Sequence, residues 1–175
     1  WATEYNFPAI KSGKVKQTTV PEEARPDIQA WYPNIRRSKF ADPGTGQAMR
    51  YCFDFEWTNK NLFYNAYRAA ESYFEKSEFA AEGLPSPEEL AVLEPFRADL
   101  PPAVFGAPEP IPKSDGSGRD RKLLRRASEL LAEAGWKNEG GVLKSASGER
   151  FTSEFLIDDD VCTRSVFPYV ANLQA

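Results

Sequence analysis

Arg119-Asp-Arg-Lys-Leu-Leu-Arg-Arg-Ala-Ser-Glu-Leu-Leu-Ala-Glu-Ala-Gly-Trp136 is the stretch on which the fold turns. Leu123, Leu124, Ala127, Leu130, Leu131 and Ala134 recur at helical spacing and make one apolar stripe, so a helix from Arg119 to Ala134 should lie on a core. Gly135 is placed to end it, because glycine enters the left-handed conformation of a helix C-terminus without a Cβ penalty. Arg119, Arg121, Lys122, Arg125 and Arg126 fall opposite the leucines and read as a solvated face. Downstream, Gly141-Val-Leu-Lys144, a turn at Ser145-Ala-Ser-Gly148 and Phe151-Thr-Ser-Glu-Phe-Leu-Ile157 read as a β-hairpin. The fold class expected is therefore α+β, a mixed α/β arrangement of several helices packed on a small sheet.

Further from that centre, other helices announce themselves by their caps. Asp42 before Pro43 is a helix start, since the carboxylate accepts a free N–H and proline is tolerated in the first turn. The helix after it should turn Ala48, Met49 and Cys52 inward, and Asp54 should cap a second helix through Trp57, Leu62 and Phe63. Ser86-Pro-Glu-Glu89 starts another that runs to about Glu94, where Pro95 disfavours continuation. The aromatics from Tyr51 to Phe74 read chiefly as core, with a few lining a ligand cleft. Residues 100–118 hold five prolines and three glycines and read as a long extended surface connection. Residues 1–27 read as an irregular lead-in with a short strand near Val15 to Val20, and Ile28-Gln-Ala-Trp-Tyr32 as a short strand stopped by Pro33. A last helix from Val161 should bury Val166, Val170 and Leu173. A start at Trp1, and an end without a terminating signal, suggest a piece of a longer protein.

Composition removes several kinds of chemistry. The 175 residues contain no histidine, so Ser-His-Asp and Cys-His nucleophile pairs and His-containing zinc sites are excluded. A net charge of −4 argues against nucleic acid as a partner, because phosphate binding needs a positive surface. No run approaches the roughly 18 apolar residues of a membrane-spanning helix. Cys52 and Cys162 are too few for a thiolate metal site; each reads as a small buried apolar residue, a single disulfide being the alternative. Asp158-Asp-Asp160 reads as a strand end and helix cap rather than a cation site, and Asp115-Gly-Ser-Gly-Arg-Asp120 misses the calcium-loop spacing. Gly44-Thr-Gly46 lacks the Gly-Lys-Ser/Thr of a phosphate loop. No cofactor, metal or catalytic residue is expected, although Asp54, Glu56, Glu71, Glu75 and Glu78 leave room for carboxylate chemistry on saccharides.

Asn34-Ile-Arg-Arg-Ser-Lys-Phe-Ala-Asp42 and Gln47-Ala-Met-Arg-Tyr-Cys-Phe-Asp-Phe-Glu-Trp57 resemble the strand, turn and helix pattern of family 5 extracellular solute-binding proteins of ABC transporters, the peptide and oligopeptide binders. Asn61-Leu-Phe-Tyr64, Ser72-Tyr-Phe74, Ser77-Glu-Phe-Ala-Ala81 and Gly83-Leu-Pro-Ser-Pro-Glu-Glu-Leu90 are similar to the subgroup of the microcin C importer's binding protein, and Leu130-Leu-Ala-Glu-Ala-Gly-Trp136 to the family's helix before a hairpin. The resemblance runs from about Tyr5 to Leu173. It implies a two-lobed periplasmic receptor that closes on a peptide or peptide-like ligand and delivers it to a membrane permease. Residues 28–175 would be a segment of the second lobe and residues 1–27 a lead-in near the lobe boundary. One departure is plain: where the family reads Arg-Val-Arg before Gln-Ala, this chain has Gly44-Thr-Gly46, which lowers helix propensity in that turn.

Trp31, Asn34 and Arg36 are the candidate ligand-binding residues, because their segment would run out from the hinge side; support of the strand is the competing role. A receptor clamp draws its free energy from closure around the ligand, which suits a chain without histidine. A carboxylate enzyme and a plain interaction domain are the alternatives.

Overall fold

The computed structural model describes residues 5–20, 24, 28–157 and 160–175, with backbone alone at residues 160–162. Two compact units divide the chain: residues 1–28 with 70–109, and residues 29–69 with 110–175.

The core of the second unit grows from three helix caps. Asp42 accepts the Gly44 N–H at 2.7 Å and starts α2, Pro43–Cys52; Asp54 accepts the Trp57 N–H at 2.9 Å and starts α3, Phe55–Leu62. Asp120 accepts from the Lys122 and Leu123 amides and starts the long helix at Arg121. These bonds satisfy amides that have no partner inside a helix. That long helix ends at Glu133 with Gly135 at φ +91°; Gly135 N–H donates to Ala132 O at 3.0 Å and Trp136 N–H to Leu131 O at 2.8 Å, a Schellman closure. Ala127 and Leu130 on its stripe pack with Ala48 and Cys52 of α2 and with Tyr169 of the C-terminal helix, Asp160–Leu173.

Glycine at position 44 has a structural use. A Cβ there would sit 2.9 Å from Asp42 Oδ1, 3.7 Å from Leu130 O and 3.9 Å from the Ala134 Cβ. Its absence keeps the cap intact and leaves room for the longer helix. Whatever helix propensity the residue loses, it gains a close approach of two helices.

The only sheet among the described residues is a two-stranded antiparallel hairpin of β1, Lys137–Glu139, and β2, Val142–Lys144, so the α+β expectation holds. Its turn lies one step earlier than expected. Gly140 and Gly141 both take positive φ, 64° and 84°, which suits the tight two-residue connection that twisted strands favour. The expected hairpin around Ser145–Gly148 shrinks to a single bridge, Lys144 with Arg150. Phe151–Ile157 continues without a ladder, alternating half-buried and exposed side chains.

In the first unit, α1 is Pro8–Lys11 and α4 is Pro87–Leu93; short 3-10 helices cover Glu94–Phe96 and Pro102–Phe105. We number the remaining helices α5, Arg121–Glu133, and α6, Asp160–Leu173. Ser86 Oγ accepts the Glu89 N–H at 3.2 Å while Glu89 Oε2 accepts the Ser86 N–H at 2.7 Å, the reciprocal capping box. No strand forms at Val15 to Val20: Val15 N–H instead donates to Ala9 O at 3.0 Å, and Val15 and Val20 are exposed. Ile28–Tyr32 likewise joins no ladder.

Two more expectations need correcting. The aromatics after Phe63 are not core: Tyr64, Tyr67, Tyr73 and Phe74 are exposed. Tyr64 and Asn65 adopt left-handed φ of 54° and 59°, so the chain leaves α3 and the helical spacing stops there. The connection at residues 100–118 contains the 3-10 helix Pro102–Phe105, and its last residues are tied down by side chains instead of lying free on the surface. The Asp158-Asp159 part of the acidic run, and the Cys162 side chain, lie outside the described residues.

Candidate functional site

The three candidate residues stand on one short segment and do different things. Trp31 is an anchor: its ring meets Phe155 edge-on at 5.2 Å and stacks on Tyr169 at 6.2 Å, while Phe53 meets Tyr169 at 5.4 Å. Such pairs add stabilisation beyond the area they bury. Beyond Pro33, Asn34 Oδ1 accepts the Arg36 N–H at 3.1 Å and Asn34 O accepts the Arg37 N–H at 3.0 Å, a local turn set by an asparagine side chain. Asn34 and Arg36 are exposed, as are Tyr32 and Ile35, which sequence reasoning passed over. The segment is pinned again at the 3-10 helix Ser38–Phe40, where Phe40 meets Phe151 at 6.0 Å and Lys39 Nζ donates to Thr152 O. The result is an exposed amide, guanidinium and phenol on a backbone braced at both ends.

A second polar cluster gathers where residues 114–120 meet α3. Ser114 Oγ lies in hydrogen-bond range of both Asp54 Oδ1 and, at 2.9 Å, Glu56 Oε2, so one hydroxyl proton serves two carboxylates. Asp54 Oδ2 accepts the Gly118 N–H at 2.8 Å, and Glu56 Oε2 also accepts the Ser114 N–H at 3.0 Å. Gly118 has φ +83°, and a Cβ there would sit 3.1 Å from the Trp57 indole. Asp120 Oδ2 holds the Asp115 N–H at 2.9 Å, and the Ser117 amide and hydroxyl keep the Asp115 carboxyl below its ordinary range. These carboxylates are engaged with the loop's own donors, and among the described residues no group of acidic or thiol side chains is placed to hold a metal ion.

Buried polar ties complete the unit. Tyr169 OH donates to Met49 O at 3.0 Å, and Asn172 Nδ2 donates to Cys52 O and to Gly118 O, each at 3.0 Å. Desolvation pushes the Cys52 thiol up to about 12 and also raises the Tyr169 phenol, which the nearby Cys52 raises further. Cys52 is a free thiol and, as expected, a buried one. On the opposite side of α5, Arg126 pairs with Glu129 at 3.2 Å and Glu133 at 3.1 Å, which fits the solvated face read from the sequence.

Residues 2–174 match the family described as bacterial extracellular solute-binding proteins, family 5, middle region. The chain belongs to this family. Among curated members of similar sequence, the probable peptide-binding protein YejA of Agrobacterium fabrum is 38% identical over 99% of this chain, and the uncharacterized protein YejA of Escherichia coli is 35% identical over 99% of it. The uncharacterized protein y4wM of Sinorhizobium fredii is 37% identical over the same share. This chain spans 29% of the length of each YejA and 27% of y4wM. No helix among the described residues is long and apolar enough to cross a membrane.

Sequence reasoning did not find Thr45, Thr58 and Asn172, which are buried despite their polarity. For Asn172 a signal existed: it falls three residues after Tyr169, on the same face of α6.

Proposed function

We propose that this chain is a second-lobe segment of a receptor that captures peptides or peptide-like solutes outside the cytoplasmic membrane and hands them to an ABC permease, without catalysis. The observation that carries this reading is the family match across residues 2–174. The Agrobacterium relative, a probable peptide-binding protein, supports the peptide part. Residues 28–175 would form the lobe segment and residues 1–27 the lead-in at its boundary. Asn34 and Arg36 would meet the ligand's carbonyl and carboxylate groups, and Trp31 would hold them in place through its stack on Tyr169.

The test uses the longer parent polypeptide, a mixed peptide pool and calorimetry. Peptide binding should weaken about tenfold in Arg36→Ala, the loss of roughly 1.4 kcal/mol that one charged contact carries, with melting temperature unchanged. Peptide affinity unmoved by Arg36→Ala and Asn34→Ala would remove these residues from the cleft. A parent that binds saccharides and no peptide would overturn the peptide reading. Residues 1–175 alone should bind peptide poorly, and micromolar or tighter binding would contradict a cleft shared with the rest of the parent.

A further inference from the structure

The charges of α5 run against its dipole. A helix is stabilised by carboxylates in its first turn and cations in its last, because the partial charges there are positive and negative respectively. α4 obeys, opening with Glu88 and Glu89. α5 has no acidic side chain in its first turn and no basic one in its last. Arg121, Lys122, Arg125 and Arg126 crowd its positive end, with Arg119 just before it, while Glu129 and Glu133 sit toward the other. Such a pattern costs the helix stability, and a local rule broken without compensation inside the fold points to a use outside it.

Little in the unit neutralises these cations. Of the five, Arg126 is paired, with Glu129 at 3.2 Å and Glu133 at 3.1 Å, and Lys122 is close enough to Asp115 to act on its carboxyl. Among the described residues the guanidinium groups of Arg119, Arg121 and Arg125 meet no carboxylate, and all five cations are exposed. Residues 110–126 carry six cations against Asp115 and Asp120, a net +4 inside a chain whose total is −4. The face also has no apolar anchor: from Ile111 to Phe155 no large apolar side chain is exposed. Protein interfaces rest on such anchors, packed in a dry centre, whereas a lipid headgroup layer holds a basic face by charge alone. A single bound anion suits the place no better. Asp120 already takes the Lys122 and Leu123 amides, and Asp115 and Asp120 share the hollow that Arg119, Arg121 and Lys122 line.

We propose that Arg119, Arg121, Lys122 and Arg125 form a face that holds the protein against an anionic phospholipid surface. The contact is diffuse: guanidinium and ammonium groups lie over lipid phosphates without fixed pairing, which raises the protein's concentration beside a membrane and selects no ligand. The inference goes beyond peptide capture and uses none of Trp31, Asn34 or Arg36. An assay without peptide keeps its failure separate from the failure of that reading.

Co-sedimentation of the longer parent polypeptide with vesicles tests it, with no peptide present. Vesicles of equal phosphatidylglycerol and phosphatidylcholine should retain the protein at low salt, and vesicles of phosphatidylcholine alone should not. Each charge removed should weaken retention about fivefold, so Arg121→Gln with Arg125→Gln should lose about 25-fold, and salt near about 0.5 M should release the wild type. The same double variant should melt at or above the wild-type temperature, because it lifts cations from the positive end of α5, which separates lost binding from unfolding. Arg121→Lys with Arg125→Lys should bind as the wild type does. If the two Gln substitutions together do not fold, Arg121→Gln alone carries the same reading. No retention on the anionic vesicles, the result that a face covered elsewhere in the parent would give, overturns the proposal. Equal retention on both kinds of vesicle does so too, as does a Gln variant that binds undiminished. Loss in the Lys variant, or release by millimolar inorganic phosphate at constant ionic strength, would mean that individual groups are recognised, by a protein or a discrete anion, and overturns it as well.

Discussion

The two units of this chain draw on the same amino-acid alphabet and build opposite things. The second unit holds every buried residue among those described; the first holds none. Apolar content does not separate them, since residues 70–109 are as aromatic as a core would need. Helix length does. α5 has 13 residues and shows Ala127 and Leu130 to α2 along one stripe, whereas α4 has seven, under two turns, and cannot present a continuous face. Apolar side chains become a core only when an element is long enough to line them up against another.

The largest expected effect breaks that contrast directly. Leu130→Ala removes a 6% exposed side chain from between α5 and α2 and should cost about 3 kcal/mol, whereas Val92→Ala in α4, at 69% exposure, should cost under about 0.5 kcal/mol. Chemical denaturation followed by tryptophan fluorescence reads both, and equal losses would mean that α4 is packed. Gly118→Ala comes next: a left-handed φ combined with a Cβ 3.1 Å from the Trp57 ring should cost roughly 1–3 kcal/mol and redden the Trp57 emission. Ser86→Ala should cost about 1 kcal/mol, confined to the first unit. Amide exchange should quicken at Glu88 to Leu90 and stay unchanged in α5, and a matching change in α5 would show the units to be energetically joined.

The smallest effect at neutral pH is that of Cys52. Its folded pKa lies above its unfolded value, so the neutral thiol's stabilisation is fully present below about pH 9 and is lost as pH rises toward about 12. Stability should fall across that alkaline window, and Cys52→Ala should flatten the fall. An unchanged alkaline slope in the variant would place its origin in another group such as Tyr169, whose phenol is also raised.

Local chemistry was legible in the sequence and long-range polarity was not. The capping bonds of Asp42, Asp54 and Ser86 span two or three residues, so the caps follow from side-chain type alone. The stripe of α5 and the cap at Gly135 obey one helical period and were equally plain. The hairpin was displaced because Gly140-Gly141 is itself the turn, and a two-residue glycine loop leaves less sequence than the Ser145–Gly148 cluster that drew the reading. Thr45 and Thr58 escaped because nothing local says that a polar group will be enclosed, whereas Asn172 could have been read from its i, i+3 spacing to Tyr169. At the candidate site, the bracing role of Trp31 depends on Phe155 and Tyr169, which are distant in the chain. Asn34 and Arg36 were named from the expected course of their segment, and the turn that Asn34 makes with the Arg36 amide is local.

The bonds from Tyr169 to Met49 and from Asn172 to Cys52 each join residues 120 positions apart. They set a timetable as well as a geometry. α2 is made early in synthesis, yet its last turn gains these two partners only after α6 exists, and a contact so distant along the chain is slow to form. A chain halted before Tyr169 would therefore carry α2 and α5 without the clasp that closes them, and the unit should gain its cooperative stability only with its final turns.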